Sequence, residues 1–312
     1  MTPVKQFGEI ALIQRLKRLV PGRADVVTGI GDDCAVVRAG RADAFDLLLK
    51  SDPVIEGIHF DAATPAAAVG YKALGRVLSD LAAMGGEPLW ALVDLVAPAT
   101  ASLARLEGLY RGLARLARRQ GMAIVGGDTA RGNTLELHVF AVGRVPRGTA
   151  VLRSGARRGD VLYVTGALGG SRAGRHLRFE PRLAEGRWLR EQGWATAMLD
   201  VSDGLATDVR RLAGASGLGA VLEAARIPLS AAARKQRDGR TPLEQALTDG
   251  EDFELLFTVP PAKTRAFEAA WRRRFRLKCT RIGEMTASRG RVETQEAGIR
   301  RPLTLRGYEH FG

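Results

Sequence analysis

The chain has 312 residues, 46% of them hydrophobic, enough for two cores of about 150 residues each, and its Gly 37 with 6% aromatic content favours a turn-rich α/β protein. Two cysteines, Cys34 and Cys279, argue against a disulfide framework or a cysteine zinc site; no apolar run nears the roughly 18 residues of a membrane helix; and Met1 to Phe7 lacks a signal pattern, so a reducing cytoplasm and no membrane are expected. A net charge of +13 invites nucleic acid, but only seven of the 47 basic residues are lysine and the arginines are spread throughout, which reads as compositional bias rather than a binding stripe.

Residues 8 to 19 carry helical periodicity that Pro21-Gly22 ends. Phe45 to Lys50 reads as a short strand delivering Ser51-Asp52 at its end, and Pro65 to Met84 as an Ala/Leu-rich helix with Asp80 inside it. Leu89 to Val96 reads as a strand, Ser102 to Gln120 as an amphipathic helix, Met122 to Val125 as a strand feeding Gly126-Gly127-Asp128, and Thr134 to Val145 as a longer alternating strand. A break near Pro146-Arg147-Gly148 divides the chain into 1–147 and 148–312. The second half repeats the alternation: a strand at Val161 to Thr165, Met198 to Val201 before a helix from Gly204 to Ala213, and Phe253 to Val259 before a helix from Lys263 to Arg274. The basic run Trp271 to Arg276 reads as a solvated helix face entering a strand, and no nucleic-acid partner is expected.

Five acidic motifs punctuate this basic chain: Gly31-Asp32-Asp33, Ser51-Asp52, Ser79-Asp80, Gly126-Gly127-Asp128-Thr129 and Asp200-Val201-Ser202-Asp203-Gly204. Aspartates gathered at strand ends repel one another unless a cation lies between them, and oxygen-only ligation suits Mg²⁺ bridging to phosphate. Each motif also has a plain reading. Gly31-Asp32-Asp33 can be a capped turn, Gly126-Gly127 a glycine turn instead of a phosphate approach, and Ser202 or Asp203 the N-cap of the following helix. Glu251 in Gly250-Glu251-Asp252 can hold a substrate donor or be solvated edge charge. Gly166-Ala167-Leu168-Gly169-Gly170 misses the dinucleotide spacing and stays a weak phosphate loop. No lysine follows a glycine, which excludes a P-loop, and no His precedes Arg-Asp as a protein-kinase loop requires. His59, His138, His176 and His310 stand isolated, with no zinc spacing.

Taken in order, the motifs resemble the thiamine-monophosphate kinases, of the PurM-like ATP-binding fold. The matching stretches are Gly29 to Ala35, Glu56-Gly57-Ile58-His59-Phe60, Leu78 to Gly85, Gly126 to Thr129, Arg153 to Ala156, Asp200 to Leu205, Gly250 to Leu255 and Gly307-Tyr308-Glu309-His310-Phe311. The resemblance implies two α/β (α+β) domains, the N-terminal ones pairing across a homodimer into a barrel. It also implies transfer of the ATP γ-phosphoryl group to thiamine monophosphate without a protein nucleophile, with several Mg²⁺ ions screening two polyanions. By motif, Asp33, Ser51, Asp52, Asp80, Asp128, Asp200 and Asp203 become metal ligands; Gly126, Gly127, Arg153 and Ser202 ATP contacts; His59, Glu251 and Tyr308 the thiamine-phosphate side.

Three departures stand out. Lys50 replaces a Ser or Thr that the family usually has beside the next hydroxyl and Asp; Val77 replaces a common Asn; and the stretch from Gly166 to Pro181 is short. Rival readings are another PurM-like ATP-dependent synthetase, without the Glu56–Phe60 and Gly307–Phe311 elements, and a basic nucleic-acid-binding protein.

Overall fold

The computed structural model describes residues 8–40, 42–236 and 238–309. Its first half opens with helix α1 (Glu9–Lys17) and the strands β1 (Val26–Thr28), β2 (Ala35–Val37) and β3 (Phe45–Ile55). Helix α2 (Ala66–Ala83), β4 (Glu87–Ala97), α3 (Leu103–Gln120), β5 (Ala123–Gly126), β6 (Thr129–Arg131) and β7 (Glu136–Pro146) follow. They form one sheet ordered β1-β2-β3-β7-β4-β5, with β6 continuing on β4. The second half contains β8 (Val161–Thr165), α4 (Leu183–Glu191), β9 (Ala197–Asp200), α5 (Leu205–Ala215), β10 (Gly219–Glu223), α6 (Ala231–Lys235) and α7 (Pro242–Thr248). It ends with β11 (Leu255–Val259), α8 (Thr264–Arg274), β12 (Cys279–Thr286), β13 (Val292–Glu296) and β14 (Ile299–Pro302), in a sheet ordered β14-β13-β10-β12-β8-β11-β9.

Alternation decides which face of the first sheet is covered. On β7 the odd residues Leu137, Val139, Ala141 and Val145 are buried, as are Ala91, Val93 and Leu95 on β4, and these pack toward α2. The opposite face stays open: Trp90, Leu92 and Phe45 are 48%, 40% and 37% exposed, and among the described residues the sheet does not close into a barrel.

Helix α2 is the centre of the molecule. From Val69 to Ala83 every residue but Arg76 is buried, because β3 and β7 lie on one side, α3 on another, and α4 and β9 of the second half on a third. Leu74, Val77, Leu78 and Leu81 are fully buried there, each contributing about 1.5–3 kcal/mol of burial. Val77 thus sits in apolar core. Helix α3 approaches so closely that a Cβ on Gly70 would lie 1.9 Å from the Leu109 carbonyl oxygen and one on Gly112 2.0 Å from that of Ala67; only glycine permits this spacing. Ser102 caps α3 by accepting the Arg105 N–H, and Gly121 ends it in the left-handed conformation.

The element reading needs one correction that matters for the site. Strand β3 does not stop at Lys50 but runs to Ile55, paired with β7 throughout, so Ser51 and Asp52 lie inside a strand and point to opposite faces. The basic run resolves into a buried Trp271, whose indole N–H donates to the Leu277 carbonyl, and exposed arginines at the C-terminal end of α8, where cations suit the helix dipole.

Candidate active site

A cleft of about 1080 Å³ opens between the two sheets, and α2 runs along its floor. At one end, β9 delivers Asp200, α2 supplies Asp80, and the turn before β2 supplies Asp33. All three are buried, and their ligand oxygens lie within 4.8 Å of one another. Ser79 Oγ donates to Asp200 Oδ2 at 2.6 Å. Burial, reinforced by Asp33, pushes Asp200 up to about 7. Burial also drives Asp80 well above the carboxylate range, and burial with the Asp33 charge raises Asp32 to about 6.

Two cations line this acidic end. Arg153 grips Asp33 with both Nε and a terminal nitrogen, at 3.2 and 2.7 Å, while its backbone N–H donates to Asp32. Lys50 reaches from β3 to Asp80 Oδ1 at 3.1 Å and Asp52 Oδ1 at 3.4 Å. Burial opposes the Lys50 charge, but Asp80 and Asp52 more than offset it and hold the ammonium protonated.

The other end inverts this arrangement. Glu251, held in the left-handed conformation at φ 65 by the Glu251 N–H donating to the Ser202 carbonyl, faces Lys72 at 2.7 Å, Arg76 at 3.3 Å and His176 at 3.1 Å. Burial would raise its carboxyl, but the His176 hydrogen bond, Lys72 and Arg76 outweigh that and bring it down to about 2. Lys72 Nζ also donates to the His59 carbonyl at 2.5 Å, and the Ile55 N–H donates to His59 Nδ1 at 3.1 Å, so the imidazole is oriented where it lines the cleft.

A strap from the chain's C-terminal segment closes one wall. The Tyr308 N–H donates to the Asp203 carbonyl at 2.9 Å, and a Cβ on Gly307 would fall 1.7 Å from that same oxygen. Arg210 anchors the strap through the Leu303 and Leu305 carbonyls. His310 and Phe311 lie outside the described residues.

Asp52, Asp80, Asp200, Ser202, Asp203 and Arg153 therefore meet His59, Glu251 and Tyr308 in one cleft, with Asp33 beneath it. Four expected residues do not join them. Ser51 is exposed on the other face of β3, and Gly126, Gly127 and Asp128 lie beyond β4, with β7 and β4 between them and β3, about 14 Å at ordinary strand spacing. The Asp128 N–H donates to Asp94 Oδ1, on the open face. Asp203 pairs with Arg211 instead of the aspartate cluster. Neither Ser202 nor Asp203 caps α5: Gly204 is its N-cap, and Asp208 takes the Asp203 N–H. The Gly169 and Gly170 N–H groups are spent on Asp252 and Asp249, which removes that segment as a phosphate loop.

The cation set around Glu251 escaped the sequence reading. His176 is isolated along the chain but not in space. A signal did exist: Lys72, Arg76, Ser79 and Asp80 recur at helical spacing in an otherwise apolar α2, marking one polar stripe.

A cleft that gathers carboxylates from one half beside carboxylates from the other, with cations opposite, is built to bring two anions together, and the chain is a kinase of the PurM-like fold. Residues 31–145 match the AIR synthase related protein N-terminal domain and 172–295 its C-terminal domain. The chain belongs to the thiamine-monophosphate kinase family. It is 37% identical to the thiamine-monophosphate kinase of Salmonella typhimurium over 97% of this chain and 98% of that one, and 33% identical to that of Aquifex aeolicus over 92% and 94%. The structure of AaThiL complexed with AMPPCP and TMP superposes with a TM-score of 0.86 at 32% identity, covering 99% of both chains. Thiamine-monophosphate kinase from Stenotrophomonas maltophilia K279a gives 0.75 at 34%, covering 92% and 96%. Escherichia coli HypE, a hydrogenase maturation protein, shares the fold alone, at a TM-score of 0.72 and 20% identity.

Proposed function

We infer that the chain catalyses ATP-dependent phosphorylation of thiamine monophosphate to thiamine diphosphate. The observation that carries this is the convergence of Asp33, Asp80 and Asp200 from both halves onto one cleft whose far end is cationic around Glu251. An oxygen of the thiamine-phosphate group attacks the γ-phosphorus of ATP, the bond to the β,γ-bridging oxygen breaks, and ADP leaves, with no covalent enzyme intermediate.

The buried, oxygen-only donor set of Asp33, Asp80 and Asp200 fits a hard divalent cation such as Mg²⁺. We assign these three, with Asp52 and Asp203 on the cleft wall, to holding several such ions. Bound there, Mg²⁺ would neutralise phosphate charge. Arg153 and Ser202 face the ATP phosphates; His59, Glu251 and Tyr308 hold thiamine monophosphate, the phenol ring stacking on its heteroaromatic part.

We further propose a cytoplasmic homodimer that buries the open face of the first sheet, where Trp90, Leu92 and Phe45 are exposed. Since Ser51, Gly126, Gly127 and Asp128 lie outside the cleft of a single chain, their part in holding ions and ATP depends on this pairing. Sedimentation of a Trp90→Glu variant is expected to shift from two copies to one; an unchanged boundary sinks the pairing. For the reaction, purified protein with Mg²⁺ and ATP should release ADP with thiamine monophosphate and not with free thiamine. ATP turnover indifferent to thiamine monophosphate rules the assignment out.

A further inference from the structure

The acidic end of the cleft already holds a positive charge of the protein's own. Lys50 lies on the face of β3 that turns toward α2, in step with buried Leu48 and Val54, so its side chain is directed into the aspartate group and not to bulk water. Its ammonium bridges Asp52 and Asp80 at 3.4 and 3.1 Å with only 22% of the side chain exposed. Asp80 is in turn one of the three carboxylates close enough to share an ion. Arg153 grips Asp33, a second carboxylate of the cluster, so two protein cations line the cluster where it meets the cleft.

An ammonium does part of what a bound divalent ion does. It carries one charge instead of two, donates hydrogen bonds instead of accepting lone pairs, and is tethered, so its occupancy does not depend on concentration. It also opposes a second cation drawn to the same Asp80 oxygen.

We propose that Lys50 is a resident cation that takes one cation position of the aspartate basin, so that this chain fills the basin with fewer divalent ions, or holds them less tightly, than it would with a small neutral residue at position 50. The inference rests on the reading of the basin as a divalent-ion site, and the experiment separates the two.

Mn²⁺ binding to the nucleotide-free protein is counted by electron paramagnetic resonance for the wild type, Lys50→Ser and Lys50→Met. Each variant is expected to bind one more Mn²⁺ per chain, or to bind at least tenfold more tightly. Each should also melt below the wild type in EDTA and recover with millimolar Mg²⁺, because the ion replaces the missing charge. A variant that folds only with metal present is the same result in stronger form. Equal stoichiometry with affinities within twofold overturns the role of Lys50 while leaving the basin a metal site. Failure of both variants to fold even with metal also overturns it, since an ion then cannot stand in for the ammonium. Absence of Mn²⁺ binding in all three proteins overturns the metal reading and this inference together.

Discussion

The two ends of the cleft are built from the same residue types in opposite proportion. At one end Asp32, Asp33, Asp52, Asp80 and Asp200 share two protein cations, Lys50 and Arg153; at the other a single carboxylate, Glu251, sits among Lys72, Arg76 and His176. The first end is short of positive charge. Burial, little offset there, raises Asp200 to about 7 and drives Asp80 well above its ordinary value. The second is rich in positive charge, and its glutamate stays ionised down to about 2 despite burial, which His176, Lys72 and Arg76 outweigh. Burial is common to both, so it is the ratio of partners that decides the charge state. One end therefore calls for cations and the other can accept an anion, an ordering suited to carrying one phosphate toward another.

The largest effect expected from disturbing this contrast is at the acidic end. Asp200→Asn should lower kcat about 10³-fold while the metal-free protein melts no lower than the wild type, since removing a buried, poorly compensated carboxylate relieves repulsion. A turnover assay beside a melting curve checks both, and near-normal turnover breaks the contrast at its stronger end.

At the cationic end a smaller and differently shaped change is expected. Lys72→Met keeps the buried stem but drops the charge, leaving Arg76 and His176 on Glu251. KM for thiamine monophosphate should rise about tenfold with kcat within about threefold, the pattern of lost binding common to ground and transition states. A fall in kcat at constant KM contradicts that.

The smallest change is in stability. Because the Glu251 carboxyl is depressed from its ordinary 4.5 to about 2 in the folded protein, the unfolded chain binds the extra proton between those values. Its contribution, about 3 kcal/mol, is therefore complete above about pH 4.5 and lost as pH falls toward 2. Urea unfolding at pH 5 and pH 3 should show about half of this loss in the wild type and a flatter dependence in Glu251→Gln; parallel curves sharpen the picture by assigning the acid limb to other groups.

Much of this was legible in the chain itself. Most of the longer helices and strands of the first half followed from periodicity, while the joint placing of Asp33, Asp80 and Asp200 and of His59, Glu251 and Tyr308 followed from the family resemblance that the ordered motifs carry. What escaped were relations set by tertiary packing. The extent of β3 was hidden because Lys50-Ser51-Asp52-Pro53 looks like a turn, yet pairing with β7 holds it extended. That Gly126-Gly127-Asp128 lie outside the cleft of a single chain was hidden because sequence gives no measure of how many strands lie between two loops. His176 looked idle because its partners, Lys72 and Glu251, are 104 and 75 positions away.

Helix α2 contributes Lys72 and Arg76 to one end of the cleft and Ser79 and Asp80 to the other, all from a single rigid rod. Eight residues of α-helix separate Lys72 from Asp80, about 12 Å along the axis. The distance between the cation-seeking and anion-accepting ends is thus a covalently counted length, two turns and a little more, clamped on three sides by core. The rod acts as a ruler between the two substrates: one residue inserted between Lys72 and Asp80 would turn one end of the cleft about 100° away from the other, with every side chain of the site still present.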